Sequence, residues 1–167
     1  FGLQEIFANF VSGIILLFER PFRVGDVITV GGFSGRVTRI RTRATTVLDF
    51  DNKEIVIPNK TFITGQLTNW TLTDTITRVV IKVGVVYGTD ANKVRTLLLQ
   101  AARKDERVLT EPEPSCWFVA FGANSLDFEL RVFVNAVGDR MEVQNAINTR
   151  ITTLFAEHNI EFSSPKT

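Results

Sequence analysis

The sequence predicts an α+β fold in three parts: an apolar helix, a small curled β domain, and a larger α/β unit. Three observations carry this. Residues 6–18 read IFANFVSGIILLF, thirteen residues without a formal charge and with helical spacing of the apolar side chains. Residues 22–74 turn to β-branched side chains punctuated by Gly, Asp and Asn pairs. From residue 76 strand and helix patterns follow in the order β-α-β-β-α-β.

The helix comes first. Phe7, Phe10, Val11, Ile14, Leu17 and Phe18 recur on one side at i, i+3, i+4 and i+7 spacing. Ala8, Asn9, Ser12 and Gly13 form a small, weakly polar stripe on the other side. Such a stripe lets helix backbones approach closely. A bilayer span needs roughly 20 apolar residues, so the run alone reads as half of a broken span, an interfacial helix or a core helix. Pro21 stops the helix at about Arg20. The chain starts inside this apolar pattern, without a basic leader, which is expected of a piece cut from something longer.

Strands are expected near 27–30, 35–40, 43–48, 53–57 and 67–72, with turns at Gly25-Asp26, Gly31-Gly32, Asp51-Asn52 and Pro58-Asn59. Five short strands in about fifty residues suggest a small twisted barrel or curled sheet. A strand near 77–86 then leads into a helix from about Asp90 to Lys104, with Val94, Leu97, Leu98 and Ala101 as its apolar face. Strands follow near 116–121 and 126–135. Asp139 opens a second helix, and Glu142 three residues on completes a capping box. Val143, Ile147, Ile151 and Leu154 form the buried face, and a short strand from Ile160 to Phe162 ends the pattern. This order is that of a ferredoxin-like split βαβ unit.

Composition excludes several function classes. The net charge of +1 gives no strong field toward nucleic acid. Fourteen Phe against one Tyr and two Trp place rings in a core, an interface or lipid. Cys116, the only cysteine, excludes an internal disulfide framework and a Cys-based zinc cluster; it reads as a small core hydrophobe. His158, the only histidine, sits at a helix end, where a cation suits the dipole, and no multi-His metal site can be drawn around it. Asp49 and Asp51 could be paired carboxylates but read better as part of a hairpin turn with Asn52. Residues 31–35, Gly-Gly-Phe-Ser-Gly, lack the Lys-Ser/Thr and the helix of a phosphate loop and read as a β-turn. No base–nucleophile set, metal set or cofactor motif appears, so no enzyme, metal or cofactor is expected.

One basic cluster offers an alternative. Arg39, Arg41 and Arg43 alternate, which puts them on one strand face, with Arg36 nearby. A soluble, oligomeric Sm-like barrel with such a face could bind RNA. The aromatic platforms that stack bases are missing from the segment, since Tyr87 and both Trp lie outside it. The competing reading is a solvated face, or one paired with acidic groups of a neighbouring subunit.

At this point the residues spell a family. FGLQEIFANFVSGIILLFERPFRVGDVITVGGFSGRV resembles the pore-helix-to-barrel junction of small-conductance mechanosensitive channels. The match is carried by Gln4, Asn9 and Gly13, then Arg20-Pro21-Phe22-Arg23 with Gly25-Asp26, then Gly32, Gly35 and Val37, and by Ile55-Val56-Ile57-Pro58-Asn59. It runs without gaps over residues 1–74 and more loosely to about 162, through Gly84-Val85, Tyr87-Gly88-Thr89-Asp90 and Phe121-Gly122-Ala123. The wording of residues 4–13 is similar to the larger bacterial members, which carry extra membrane helices upstream.

The resemblance implies a partition and a function. Residues 1–20 would be the second half of the pore-lining helix, 21–74 an Sm-like β domain, and 75–167 a ferredoxin-like α/β domain. Seven copies would enclose a cytoplasmic vestibule with side portals, in a bacterial inner membrane, with residues 21–167 on the cytoplasmic side. Tension would open the pore to ions and small osmolytes under hypo-osmotic stress, and lipid would contact the helix. No nucleic acid is expected. Phe1 and Leu3 would lie at the apolar seal. Glu5, Ala8, Asn9, Ser12 and Gly13 would pack and slide against neighbouring helices. The Phe7, Phe10 and Phe18 side would pack onto the β domain and membrane boundary. Arg20, Pro21, Arg23, Gly25 and Asp26 would form the helix-to-sheet junction, and Gly32, Gly35, Pro58 and Asn59 the turns. Two departures stand out: Glu5 replaces a small hinge glycine, and the family's final strand beyond Pro165 is not in this sequence.

Overall fold

The computed structural model describes residues 2–164. The chain divides into two compact units, Phe1–Thr75 and Ile76–Thr167. The predicted α+β class holds in both.

In the first unit, α1 spans Gly2–Glu19. It is longer than its uncharged stretch and, by length and composition, long and apolar enough to cross a membrane. It ends where expected. Arg20 takes a left-handed φ of 49° and donates its N–H to Leu16 at 3.1 Å, after which Pro21 cannot continue the helix.

Strands β1 (Val27–Val30), β2 (Phe33–Ile40), β3 (Ala44–Asp49), β4 (Glu54–Pro58) and β5 (Leu67–Asn69) form one antiparallel sheet in the order β4-β3-β2-β1-β5. Val30 pairs with Phe33 across Gly31 and Gly32, whose φ values of 55° and 83° define the tight hairpin that favours glycine at both positions. The β3–β4 turn is closed by Asp49, whose Oδ1 accepts from Asp51 N–H at 3.0 Å and from Lys53 N–H at 2.7 Å. Asp49 and Asp51 thus make a turn, as the sequence suggested, with Asn52 left-handed at φ 64°. A five-residue helix, α2 (Lys60–Thr64), follows β4 where only a turn was expected. The core gathers Leu16 of α1 with Phe22, Ile28, Val30, Val37, Val47, Ile57 and Phe62. Phe22 and Phe62 meet at a ring separation of 4.8 Å.

The second unit holds β6 (Thr77–Val85), α3 (Ala91–Arg103), β7 (Ser115–Phe121), β8 (Leu126–Val134) and α4 (Arg140–Glu157). The sheet order β6-β8-β7 is that of a split βαβ unit. Alternate residues of β6 and β8, from Val79 to Val85 and from Leu126 to Val134, are buried in one core with Val94 and Leu98 of α3 and Ile147 and Phe155 of α4. Asp90 caps α3, its side chain accepting from the Asn92 and Lys93 N–H groups at 3.1 and 3.3 Å.

Two expectations in this unit fail. The predicted last strand is reduced to the single bridge Val85–Phe162. The capping box does not form: Asp139 closes a 3-10 turn (Val137–Asp139) in helical geometry and makes no side-chain cap bond. An N-cap side chain reaches back from extended backbone, which Asp139 lacks. Glu142 instead pairs with Arg107 at 2.9 Å.

Candidate functional site

The site is built where α1 lies against the β sheet of its own unit. Glu5, Asn9 and Gly13 stand at i, i+4 and i+8, so they share one stripe down the helix. That stripe faces the segment from Arg41 to Lys60. The apolar side faces outward, with Phe7 67% and Phe18 84% exposed and Leu17 also exposed. One expectation changes: Phe7 and Phe18 stand exposed rather than packed onto the β domain. Within this chain the small stripe meets the 41–43 connection and the start of helix α2. The cause is steric, because the backbone-to-backbone approach needs glycine. A Cβ on Gly13 would lie 2.3 Å from the Thr42 carbonyl oxygen and 2.9 Å from Asn59 Nδ2.

Asn59 organises the sheet side of the contact. It is fully buried. Its Oδ1 accepts from the Thr45 hydroxyl at 2.8 Å, and its Nδ2 donates to the Arg41 and Thr42 carbonyls at 2.9 and 3.2 Å. Its N–H donates to the Arg43 carbonyl at 2.9 Å. One side chain therefore fixes the loop on which Gly13 rests. Beside it, Asn9 Oδ1 accepts from Lys60 N–H at 2.9 Å, and Glu5 pairs with the Lys60 ammonium at 3.1 Å. Ser12 is buried and donates to Ala8 within the helix at 2.7 Å. Ala8 is half-buried.

A second polar cluster ties the helix exit to the sheet. Asp26 Oδ2 accepts from Arg23 N–H and from Asn69 Nδ2, and Oδ1 accepts from the Thr71 hydroxyl, each at 3.0 Å. Asn69 Nδ2 also donates to the Pro21 carbonyl at 2.9 Å. Gly25 adopts φ 99° to make this turn, and its carbonyl accepts from Arg36 Nη1 at 2.8 Å. Burial pushes the Asp26 carboxyl up, but the bonds from Asn69, Arg23 and Thr71 outweigh it and hold it below its ordinary value of 3.8. A carboxyl lowered on folding contributes stability that is complete above its unfolded value and is lost as pH falls through the folded one. Acid titration followed by Trp70 fluorescence should therefore show wild-type protein losing stability below about pH 4 more steeply than Asp26→Asn.

The remaining expected site residues are dispersed. Phe1 lies outside the described residues. Leu3 is exposed near the start of α1 and shares an apolar cleft with Phe7, Phe10 and Arg43. Gly32 sits in the β1–β2 hairpin. Gly35 lies where β2 crosses β3 closely, since a Cβ there would stand 2.3 Å from the Leu48 carbonyl oxygen. Pro58 ends β4. The arginines do not share a strand face: Arg36 and Arg39 belong to β2, which is bulged between Val37 and Arg39, whereas Arg41 and Arg43 lie in the β2–β3 connection. The RNA-face alternative loses its geometric basis.

Sequence reasoning missed Lys60, the partner of both Glu5 and Asn9, because a contact spanning 51 or 55 residues leaves no local signature. It also missed the buried Asp105, which pairs with Arg107 at 3.0 Å and lies 3.6 Å from Arg150. The Arg107 hydrogen bond lowers the Asp105 carboxyl against the opposing effect of burial. Cys116 is buried as expected, and burial pushes its thiol up to about 11 against the smaller pull of Arg95. Among the described residues no cluster of three or more His, Cys, Asp or Glu could hold a metal ion.

Comparison with known proteins places this geometry. Residues 5–72 match the mechanosensitive ion channel β-domain, and residues 79–162 match the C-terminal domain of the mechanosensitive ion channel MscS. The chain is 61% identical to an MscS family protein of Haemophilus influenzae over 98% of its length. It is 61% identical to the mechanosensitive channel MscK of Escherichia coli over 84% of its length, and 44% identical to the miniconductance mechanosensitive channel MscM of the same organism over 99%. It spans only 15%, 12% and 15% of those three proteins. Its fold overlays the closed-state crystal structure of Helicobacter pylori MscS with a TM-score of 0.90 at 24% identity, over 99% of this chain and 65% of that one. With both of its units matched in order and relatives at 61% identity, this chain belongs to the mechanosensitive ion channel family.

Proposed function

We propose that this chain is the pore-proximal and cytoplasmic part of a membrane-tension-gated channel that releases ions and small osmolytes under hypo-osmotic stress. Residues 1–20 form the inner half of the pore helix, residues 21–74 an Sm-like β domain, and residues 75–167 an α/β domain of the vestibule. Copies of the chain, seven by family analogy, surround the pore in a bacterial inner membrane, with residues 21–167 on the cytoplasmic side. The reading assigns no catalytic step.

One observation carries this reading beyond family membership. The helix fastens its polar stripe to the start of α2 and the 41–43 connection and leaves Phe7, Phe10, Ile14, Leu17 and Phe18 exposed. An apolar face of that extent is covered by lipid or by other copies of the chain. Tension does work on any change of in-plane area, so it favours the conformation in which the pore helices are spread. An apolar ring of Phe1 and Leu3 would dewet the pore in the narrow state. Patch-clamp recording of the full-length protein in a membrane lacking other channels tests this. Expected are discrete currents that rise with applied suction; their absence would refute the reading.

A further inference from the structure

Lys60 is held by α1 at both of its ends. Its backbone N–H donates to Asn9 Oδ1 at 2.9 Å, and its ammonium pairs with Glu5 Oε1 at 3.1 Å. Asn9 Nδ2 donates in turn to the Glu5 carbonyl at 3.0 Å, so the two gripping residues brace each other one helical turn apart. The backbone bond has a structural reason. Helix α2 starts at Lys60, and its first N–H groups have no partner within the helix. The residue in cap position, Asn59, has helical dihedrals and makes no cap bond, because its amide is committed to Arg41, Thr42 and Thr45. Asn9 supplies the missing acceptor from 51 positions away.

This grip is specific to one register. Turning α1 by one residue, about 100°, carries both Glu5 and Asn9 off Lys60, and sliding it one turn moves them about 5.4 Å. The ion pair is half open to water, with side chains 42% and 54% exposed. A pair so exposed shifts an equilibrium only a few-fold, which suits a reversible fastening.

We propose that Glu5 is a positioning residue that latches α1 to the start of helix α2 through Lys60, and that release of this latch accompanies the response to tension. The second half of this inference rests on the channel reading above. Helix α1 runs unbroken through Glu5, so the joint that gives way lies at the contact between α1 and the start of α2.

The test uses the full-length protein in lipid vesicles, with Glu5→Gln, Glu5→Lys, Lys60→Glu and the Glu5→Lys/Lys60→Glu swap. Hydrogen exchange of residues 59–64 reads the latch directly, and patch-clamp reads the tension midpoint. Expected is exchange faster by about two- to five-fold in each single variant, with recovery in the swap. The midpoint should shift in the single variants and return in the swap. Unchanged exchange in Glu5→Lys, or a swap that restores nothing, overturns the latch. Faster exchange with an unmoved midpoint overturns its part in gating. A wild-type protein without tension-activated current refutes the channel reading, while exchange still decides the latch. Glu5→Gln keeps the side-chain shape and covers the case in which a reversed charge prevents folding.

Discussion

Replacing Asn59 with leucine should cost the first unit about 3–5 kcal/mol. The residue is fully buried and serves three partners through its side chain. Leucine fills a similar volume but strands the Thr45 hydroxyl and the Arg41 and Thr42 carbonyls. Each buried polar group left without a partner costs roughly 1–3 kcal/mol. Thermal unfolding followed through Trp70, in a Trp117→Phe background, should show a midpoint lower by on the order of 10 °C. Asn59→Asp separates shape from bonding. It keeps an acceptor for Thr45 but sets a carboxylate against two carbonyl oxygens, so it too should be strongly destabilised. A midpoint unmoved in both variants would mean that the 41–45 loop is held by something other than this amide.

Gly13→Val should be the second large effect. The Thr42 carbonyl oxygen lies 2.3 Å from where a Cβ would go, and Asn59 Nδ2 lies 2.9 Å away. The first is backbone, and the second ends a buried side chain held by hydrogen bonds to Thr45, Arg41 and Thr42. Either α1 lifts from the loop or the loop shifts, and overpacking of this kind costs about 1–3 kcal/mol. Gly13→Ala should already destabilise, although alanine is the better helix former by roughly 1 kcal/mol. Gly2→Ala is the control, since nothing lies within 4 Å of its Cβ position. It should be neutral or slightly stabilising. The same thermal assay distinguishes the two glycines, and stabilisation by Gly13→Ala would refute the close approach. On the proposed channel reading, Gly13→Val in the full-length protein should also move the tension midpoint, because it disturbs the surface on which α1 rests.

Local patterns predicted most elements because the relevant physics is local. Alternating burial in β6 and β8, the Gly31-Gly32 hairpin, the Asp90 cap and the Pro21 stop all act within a few residues. The failures share a cause as well. The outward facing of Phe7 and Phe18 was not legible because amphipathicity assumes water outside and an apolar core inside, and in α1 the apolar face is the exposed one. The stripe of small residues signalled close approach, and within this chain Gly13 makes one, to the Thr42 carbonyl. Helix α2 is only five residues long and is capped in part by Asn9, so no window of its own sequence reveals it. The Asp139–Glu142 spacing fitted a capping box, yet the 3-10 turn before α4 and the partner Arg107 on a distant loop decided otherwise.

The stripe of Glu5, Asn9 and Gly13 runs down α1, drifting about 80° around it, and this gives the joint a mechanical anisotropy. A force along the helix axis loads the ion pair, the amide bond and the glycine contact together, in shear. A force at right angles to the helix, applied at its first turn, loads Glu5 first, then Asn9, then Gly13, one after another. Bonds loaded together resist far more than bonds broken in sequence. The helix should therefore resist a pull along its length better than a sideways one, to which it yields from its N-terminal end, so the direction of a load, and not only its size, determines whether α1 stays joined to α2 and the 41–43 connection.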